Sequence, residues 1–512
     1  MTDLLNRVDA PSLLSRARSH RAAAPLAVGM LGLAISLVRI GVPSIWYDEA
    51  ATISAATRSW PQLWEMLGTI DAVHGLYYML LHAVVDVFGY SPVIIRVPSA
   101  LAAGVGAALT VVLARQFTGG RLPVLAGVIF CLLPRVTWMG TEARSYALSA
   151  MLAALLTIVF VRAQRCSAPS ASWRWWLLYG GLVVVSCLMF IYLALVVIAH
   201  GFTMAWWLVT SRRSAAPTIV RWFVASTVAA AALVPFTLEV VAQSSQIEWI
   251  KPLGDHTFRQ VFRTQWFLYS NEFAIAGCGL IVFGAIVLAT RSRGLSLAAV
   301  ILPGLIIPTG ALLIATELYT PLFTPRYLTM GVPFVAIAIA AGVDALTSRA
   351  LVVLTIIALV GLAVPSFIEQ RQPQAKQDST WSEVADLIAD ERAEDGPGTT
   401  TAVIYGYVRR HPTATARVIR YSYPDAFEGT IDVTLETPAA ETGNLWAEAH
   451  QIEDSLDRLE EADVAFLITS IKRDLRPITT AALASIGWEV TEEWNLVDVN
   501  VLRYEPSGRS SP

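Results

Sequence analysis

Apolar runs of about twenty residues recur along roughly the first 370 positions, separated by short polar segments that carry arginine, and the pattern then stops. An α-helix rises about 1.5 Å per residue, so a run of about twenty matches the hydrocarbon thickness of a bilayer. The runs predict spans at 23–43, 92–114, 122–138, 145–163, 175–189, 190–210, 218–242, one ending at Arg291, then 295–316, 328–346 and 350–368. A further apolar piece, 75–89, is too short for a comfortable crossing and reads as an interfacial or re-entrant helix. The positive-inside rule supports that choice. With 75–89 uncounted, every Arg-rich loop falls on the cytoplasmic side; counting it puts most arginines before Arg212 on the wrong side.

The pattern therefore predicts a polytopic α-helical membrane protein of about eleven spans. A cytoplasmic tail, 1–22, precedes a membrane domain at 23–368, and an extracytoplasmic domain follows at 369–512. Outer loops fall at 44–91 and 243–270. In the last region Trp381–Ile388 has helical periodicity, whereas Thr401–Tyr407, Arg417–Tyr423, Asp463–Ser470 and Asn500–Tyr504 read as strands, giving a small α/β domain.

Composition agrees and narrows the classes. The chain is 55% hydrophobic and 15% charged, which excludes an ordinary soluble enzyme, and no basic stretch interleaved with aromatics suggests nucleic acid. The four cysteines show no metal-ligand or disulfide spacing and read as small buried hydrophobes. The N-terminal arginines before an apolar run resemble a signal peptide. The run leads into Trp-Tyr-Asp-Glu instead of a small-residue cleavage site, so it reads as a retained span in a multi-pass plasma-membrane protein.

Charge on the predicted outer face is where chemistry is expected. Asp48 and Glu49 follow the first span directly, and acidic groups at a membrane surface are costly unless something holds them. The same face collects Asp71, His74, Glu142, Arg144, Glu239, Glu248, Lys251, Asp255, His256, Arg259, Arg263, Glu317 and Arg326. Carboxylates opposite several cations suit a reaction with an anionic leaving group: one carboxylate takes a proton while the cations hold a phosphate oxyanion. Lys251 is one of three lysines in the chain. Plainer roles exist for several of these groups. Glu142 and Arg144 form a structural salt bridge on that view, His74 a loop hydrogen bond, and Arg326 an interfacial anchor. Arg96, early in the second span, reads as an anchor for the first outer loop.

Four segments in order carry a resemblance. Trp46-Tyr47-Asp48-Glu49-Ala50 resembles the acidic pair in the first outer loop of GT-C glycosyltransferases, in the branch of dolichyl-phosphate-mannose–protein mannosyltransferases and bacterial aminoarabinose transferases. His74-Gly75-Leu76-Tyr77-Tyr78 resembles that branch's His-Pro-Pro-Leu-Tyr segment, departing from it at Gly75-Leu76. Thr141-Glu142-Ala143-Arg144-Ser145-Tyr146-Ala147-Leu148 resembles its Glu-Ala-Arg-x-Tyr-Ala-Leu segment, and Pro325-Arg326-Tyr327-Leu328 its Arg-Tyr-Leu segment. Together they span about residues 23–345.

The resemblance implies a GT-C fold and an inverting hexosyltransferase of the cell envelope, with mannose as the family-level sugar and arabinose derivatives as the alternative. The donor would be a polyprenyl-phosphate sugar reached from the lipid bilayer, and the acceptor a hydroxyl of a glycan, lipid or protein. Asp48 would be the base and Glu49 a second catalytic carboxylate. His74, Tyr77, Glu142, Arg144, Lys251, His256, Arg326 and Tyr327 would contact substrate. No cofactor is required; a divalent metal between the two carboxylates is left open. The competing class is a flippase or transporter of lipid-linked sugars. It would use intramembrane charges near the midplane, where this chain is almost uniformly apolar.

Overall fold

The computed structural model describes residues 13–508, apart from 167–168, 212–215, 291–295 and 409–413. The first twelve residues of the basic tail, with Arg7, and the loop arginines Arg212, Arg213, Arg291 and Arg293 lie outside the described residues, as do the last four positions.

Among the described residues, seven helices are long and apolar enough to cross a membrane. They are Pro92–Arg115, Tyr146–Arg165, Ile191–Thr210, Asn271–Thr290, Leu297–Leu318, Pro325–Asp344 and Arg349–Glu369. An eighth candidate, expected as the single span 218–242, is broken at Leu233 into Ala216–Ala232 and Val234–Ala242, bent by 49°. Helices also occupy the other expected positions, at Leu13–Leu37, at Leu122–Leu132 continued by Pro134–Met139, and at Pro169–Met189. The third of the expected spans is interrupted where Pro134 removes a backbone donor. The short apolar piece forms the helix Gly75–Phe88.

Helix contacts at the centre are made through small residues, as expected where lipid supplies no hydrophobic drive to association. The helices Asn271–Thr290 and Val332–Asp344 meet backbone to backbone. A Cβ on Gly284 would stand 1.9 Å from the Ala338 carbonyl oxygen, and one on Gly342 would stand 2.7 Å from that of Leu280. This close approach buries Val332–Val343 completely and fixes the segment just before it, which carries Arg326 and Tyr327.

The C-terminal region is an α/β unit. Its strands are β1 (Thr401–Tyr405), β2 (Ile431–Asp432), β3 (Leu435–Thr437), β4 (Glu448–Ala449), β5 (Val464–Ser470), β6 (Trp488–Asn495) and β7 (Val499–Pro506). The main sheet has the order β2-β1-β5-β7-β6, with β1 parallel to both neighbours and β7 antiparallel to both of its own. β1, β5 and β7 match expected strands. Arg417–Tyr423 does not: Arg417–Ser422 is helical. Arg417 is buried there, and its guanidinium holds the Asp432 carboxylate at 2.5 and 2.7 Å. A seven-residue run is too short for periodicity to decide between the two states. β6 was missed because it is an exposed edge strand, with Glu489, Glu492 and Glu493 in place of an apolar alternation.

This unit grips the segment that leads into Asp48. Ser44 N–H donates to the Pro373 carbonyl (2.8 Å), Ser379 Oγ to the Ile45 carbonyl (2.7 Å), and Ile45 N–H to the Tyr423 hydroxyl (2.9 Å). Trp446 packs on Tyr47 with ring centroids 5.3 Å apart. The residues just before Asp48 are thus held from both sides.

Candidate active site

Asp48 and Glu49 lie in the first turn of the helix Tyr47–Ala56. Consecutive helical residues point about 100° apart, so the acidic pair cannot face one spot. Glu49 turns inward. It is fully buried, and its two oxygens accept from Arg96 Nε (2.7 Å) and Nη2 (2.6 Å), with Ala143 N–H donating as well (2.9 Å). The rest of the Arg96 guanidinium donates to the carbonyls of Ile40, Pro43 and Ser44, so Arg96 anchors the loop as expected. The position expected of a second catalytic carboxylate is occupied by a fully buried internal ion pair. Among the described residues no three Asp, Glu, His or Cys side chains converge to hold a metal, and both Glu49 oxygens are engaged by Arg96.

Asp48 turns the other way. Its carboxylate lies 3.1 Å from Arg326 Nη1 and remains partly exposed, at 13%. Arg326 sits at the start of the short helix Pro325–Gly331. Its guanidinium carbon is 5.6 Å from the ring centre of Trp46, 5.0 Å from that of Trp249 and 6.0 Å from that of Tyr327. Tyr327 in turn packs on Tyr192, Phe190 and Tyr146. An arginine in such a cage keeps its charge and loses rotational freedom, which suits holding an oxyanion at a fixed place.

Arg144 joins the first outer loop to this group. It donates to the Asp48 carbonyl (3.3 Å) and to the Tyr78 hydroxyl (3.1 Å), and its Nη2 lies 3.0 Å from His74 Nε2. Burial first, then the neighbouring Arg144 and Arg326, hold the His74 imidazole well below its ordinary value, so it is neutral and Nε2 accepts from Arg144. Tyr78 donates to Asp71 at 2.7 Å. Burial raises the Asp71 carboxyl, and the Arg144 charge opposes the rise. The tyrosine of this segment that hydrogen-bonds Arg144 and Asp71 is Tyr78; the expected Tyr77 is buried to the same degree and lies near enough to Arg144 and Glu142 to feel their charges.

Glu142 and Arg144 do not pair with each other. Glu142 is fully buried and faces Lys376, with Oε2 3.9 Å from Nζ. Lys376 also lies over the Trp138 ring at 4.5 Å. Burial pushes the Glu142 carboxyl up to about 8 from 4.5, against the pull of Lys376. Burial likewise lowers the Lys376 ammonium to about 8 from 10.5, against the pull of Glu142. Between pH 4.5 and 8 the folded protein holds a proton on Glu142 that the unfolded chain has lost, so stability falls as pH rises. Between pH 8 and 10.5 the unfolded chain holds a proton on Lys376 that the folded protein has lost, so stability rises again. The pair should thus place a minimum near pH 8 in a plot of melting temperature against pH. Glu142→Gln should flatten the limb below pH 8, and an unchanged slope would mean that Glu142 stays ionised.

The remaining expected residues divide. His256 lines a cavity of about 680 Å³ beside Arg326, together with Arg135, Arg259, Arg263, Trp138 and Tyr269. Lys251 is exposed and lines no part of it. Its rarity carried the expectation, and Lys376, equally rare, is the lysine the fold buries. Arg135 was also missed, because it lies inside an apolar run. It is 2% exposed and donates to the carbonyls of Thr264 (2.6 Å) and Gln265 (2.9 Å), pinning the outer loop. The other missed part is the stretch 366–378, which supplies much of the cavity wall and has no motif.

No protein-family model matches the sequence, and no match is found among the curated proteins. Solved structures do share the fold. The crystal structure of ArnT from Cupriavidus metallidurans in the apo state matches with a TM-score of 0.57 and 14% identity, over 95% of this chain and 98% of that one. The same protein bound to undecaprenyl phosphate matches with a TM-score of 0.57 and 15% identity, over 96% and 99%. The archaeal oligosaccharyltransferase AglB from Archaeoglobus fulgidus, in complex with an inhibitory peptide and a dolichol-phosphate, matches at 0.52 and 12%, over 96% and 75%. The chain has the GT-C fold, a helical membrane bundle with a C-terminal sheet domain.

Proposed function

We propose that the protein is an inverting glycosyltransferase that moves a sugar from a polyprenyl-phosphate donor to a hydroxyl acceptor at the outer membrane face. The observation that carries this is the contact of a partly exposed Asp48 carboxylate with the ring-caged Arg326 guanidinium, at 3.1 Å. The solved structures of the same fold include one bound to undecaprenyl phosphate and one in complex with a dolichol-phosphate, which supports a lipid phosphate as the donor's carrier.

Asp48 takes the proton of the acceptor hydroxyl as its oxygen bonds to the anomeric carbon. The bond from that carbon to the phosphate oxygen breaks, and its electron pair stays on the phosphate. The leaving phosphate gains one negative charge, which Arg326 neutralises without a proton. Arg144 acts from behind by fixing the Asp48 peptide, with Tyr78 and His74 fixing Arg144. Mannose is the sugar we assign first, with an arabinose derivative second.

The test uses purified protein in lipid nanodiscs with radiolabelled polyprenyl-phosphate sugars, mannose and arabinose among them, and a panel of glycan, lipid and peptide acceptors. Transfer of one sugar with inverted anomeric configuration is the expected result. Transfer with retained configuration would overturn the single-displacement mechanism. Movement of the intact lipid-linked sugar across the bilayer with no transfer would favour a flippase.

A further inference from the structure

The three rings around the Arg326 guanidinium are not equally fixed. Trp46 and Tyr327 are buried, whereas Trp249 is 53% exposed. The place of Trp249 therefore depends on the chain that carries it. On one side it adjoins Ile250, which is buried. On the other, the short helix Ser244–Ile247 leads back to the outer half of the broken helix, Val234–Ala242. None of the nine residues of that half is buried, so core packing holds it weakly.

What fastens its end is one side-chain amide. Gln243 Oε1 accepts from the Ala72 N–H (2.9 Å), and Nε2 donates to the Leu67 carbonyl (3.0 Å). Gln246 Nε2 also donates to Oε1 (3.3 Å), and Nε2 also donates to Glu239 Oε1 (2.8 Å). Leu67 ends the helix Trp60–Leu67, and Ala72 begins the short helix Ala72–His74. Helix ends leave such carbonyls and N–H groups without intrahelical partners. An amide carries a donor and an acceptor together, so Gln243 satisfies both ends at once. Between them the chain turns at Asp71, whose φ of 60° is left-handed. Asp71 accepts from Tyr78 and Tyr78 from Arg144, which donates to the Asp48 carbonyl. Ala72 and His74 are buried, so the first outer loop is the fixed partner of this contact and the broken helix the free one.

We propose that Gln243 is a positioning residue of the transfer reaction: its amide latches the broken helix to the first outer loop, and through Trp249 it keeps the Arg326 guanidinium where the leaving phosphate forms. This rests on the reading of Arg326 given above. The face of Trp249 attracts the guanidinium and restricts it from its open side. The donor's phosphodiester carries one negative charge, and the departing phosphate monoester about two. Arg326 is therefore worth most as the charge develops, and a misplaced guanidinium lowers the rate more than it lowers donor affinity. Gln243 and Trp249 act along one path, so losing the second adds little to losing the first.

The test compares wild type, Gln243→Met, Trp249→Ala and the double variant in lipid nanodiscs. Gln243→Met keeps the length of the side chain and removes its hydrogen-bonding atoms. Single-turnover transfer is measured from polyprenyl-phosphate mannose or arabinose, with equilibrium binding of the same donors and of polyprenyl phosphate. Each single variant should slow transfer on the order of 10–10²-fold, as expected for a displacement of about 1 Å at a reacting group. Polyprenyl phosphate should bind about ten-fold more weakly, while donor affinity changes by less than about three-fold. The double variant should lie within about two-fold of the slower single one. Wild-type rates in both single variants, equal losses of donor and polyprenyl phosphate affinity, or additive losses in the double variant would overturn the proposal. Weakened polyprenyl phosphate binding in the variants of a protein that transfers no sugar would sink the glycosyltransferase reading alone. Transfer by wild type that the variants leave untouched would sink the latch alone.

Discussion

Asp48→Asn should lower the transfer rate constant about 10³-fold while the protein stays folded, since a positioned general base is worth roughly 10²–10⁴ in rate. The substitution keeps the shape of the side chain and removes only its capacity to accept a full proton. Arg326 loses its ionic partner, but it is 21% exposed and surrounded by aromatic faces, so the uncompensated charge is tolerated. Single-turnover transfer in nanodiscs, with melting temperature and elution volume as controls, checks it. Donor affinity should hardly change, because the proton moves only during reaction. A variant within ten-fold of wild type would remove Asp48 from the base role and move that role to another carboxylate.

The neighbouring change should fail in a different way. Glu49→Gln should cost about 3–5 kcal/mol of stability, the loss expected when one partner of a buried ion pair is removed. Both side chains are 0% exposed, so the Arg96 charge would be left in the interior with no counter-ion. The Gln amide would also turn its N–H groups towards a guanidinium that can only donate. Replacing both partners by apolar residues should not rescue the fold fully. Arg96 also satisfies the carbonyls of Ile40, Pro43 and Ser44, and these would become orphans. Thermal melting in detergent and the yield of monodisperse protein read the effect. Loss of transfer with unaltered melting would show that Glu49 acts in the chemistry after all.

These two outcomes separate residues that are adjacent in sequence and alike in type. The difference arises from the helix Tyr47–Ala56, which the sequence reading treated as loop. Consecutive side chains on that helix point about 100° apart, so one carboxylate faces the cage around Arg326 and the other the interior. On the helix Gly75–Phe88 the same one-residue offset gives the hydrogen bond from Arg144 to Tyr78 and not to its neighbour Tyr77. Motif resemblance located both segments and could not resolve their faces.

What the sequence determined by itself is the part governed by local rules. A backbone in lipid must satisfy its hydrogen bonds within the segment, so an apolar run of sufficient length becomes a helix whatever surrounds it. The helical bundle and the change of character after about residue 370 were legible for that reason, and so was the grouping of Asp48, Arg144 and Arg326. Three things were decided only by tertiary structure. Glu49 found Arg96, Glu142 found Lys376, and the stretch 366–378 became the wall of a cavity beside Arg326. Each joins residues that are 47 or more positions apart, or belong to different parts of the chain. A buried ionisable group takes whichever partner the packing brings within reach, and no periodicity or composition records that choice.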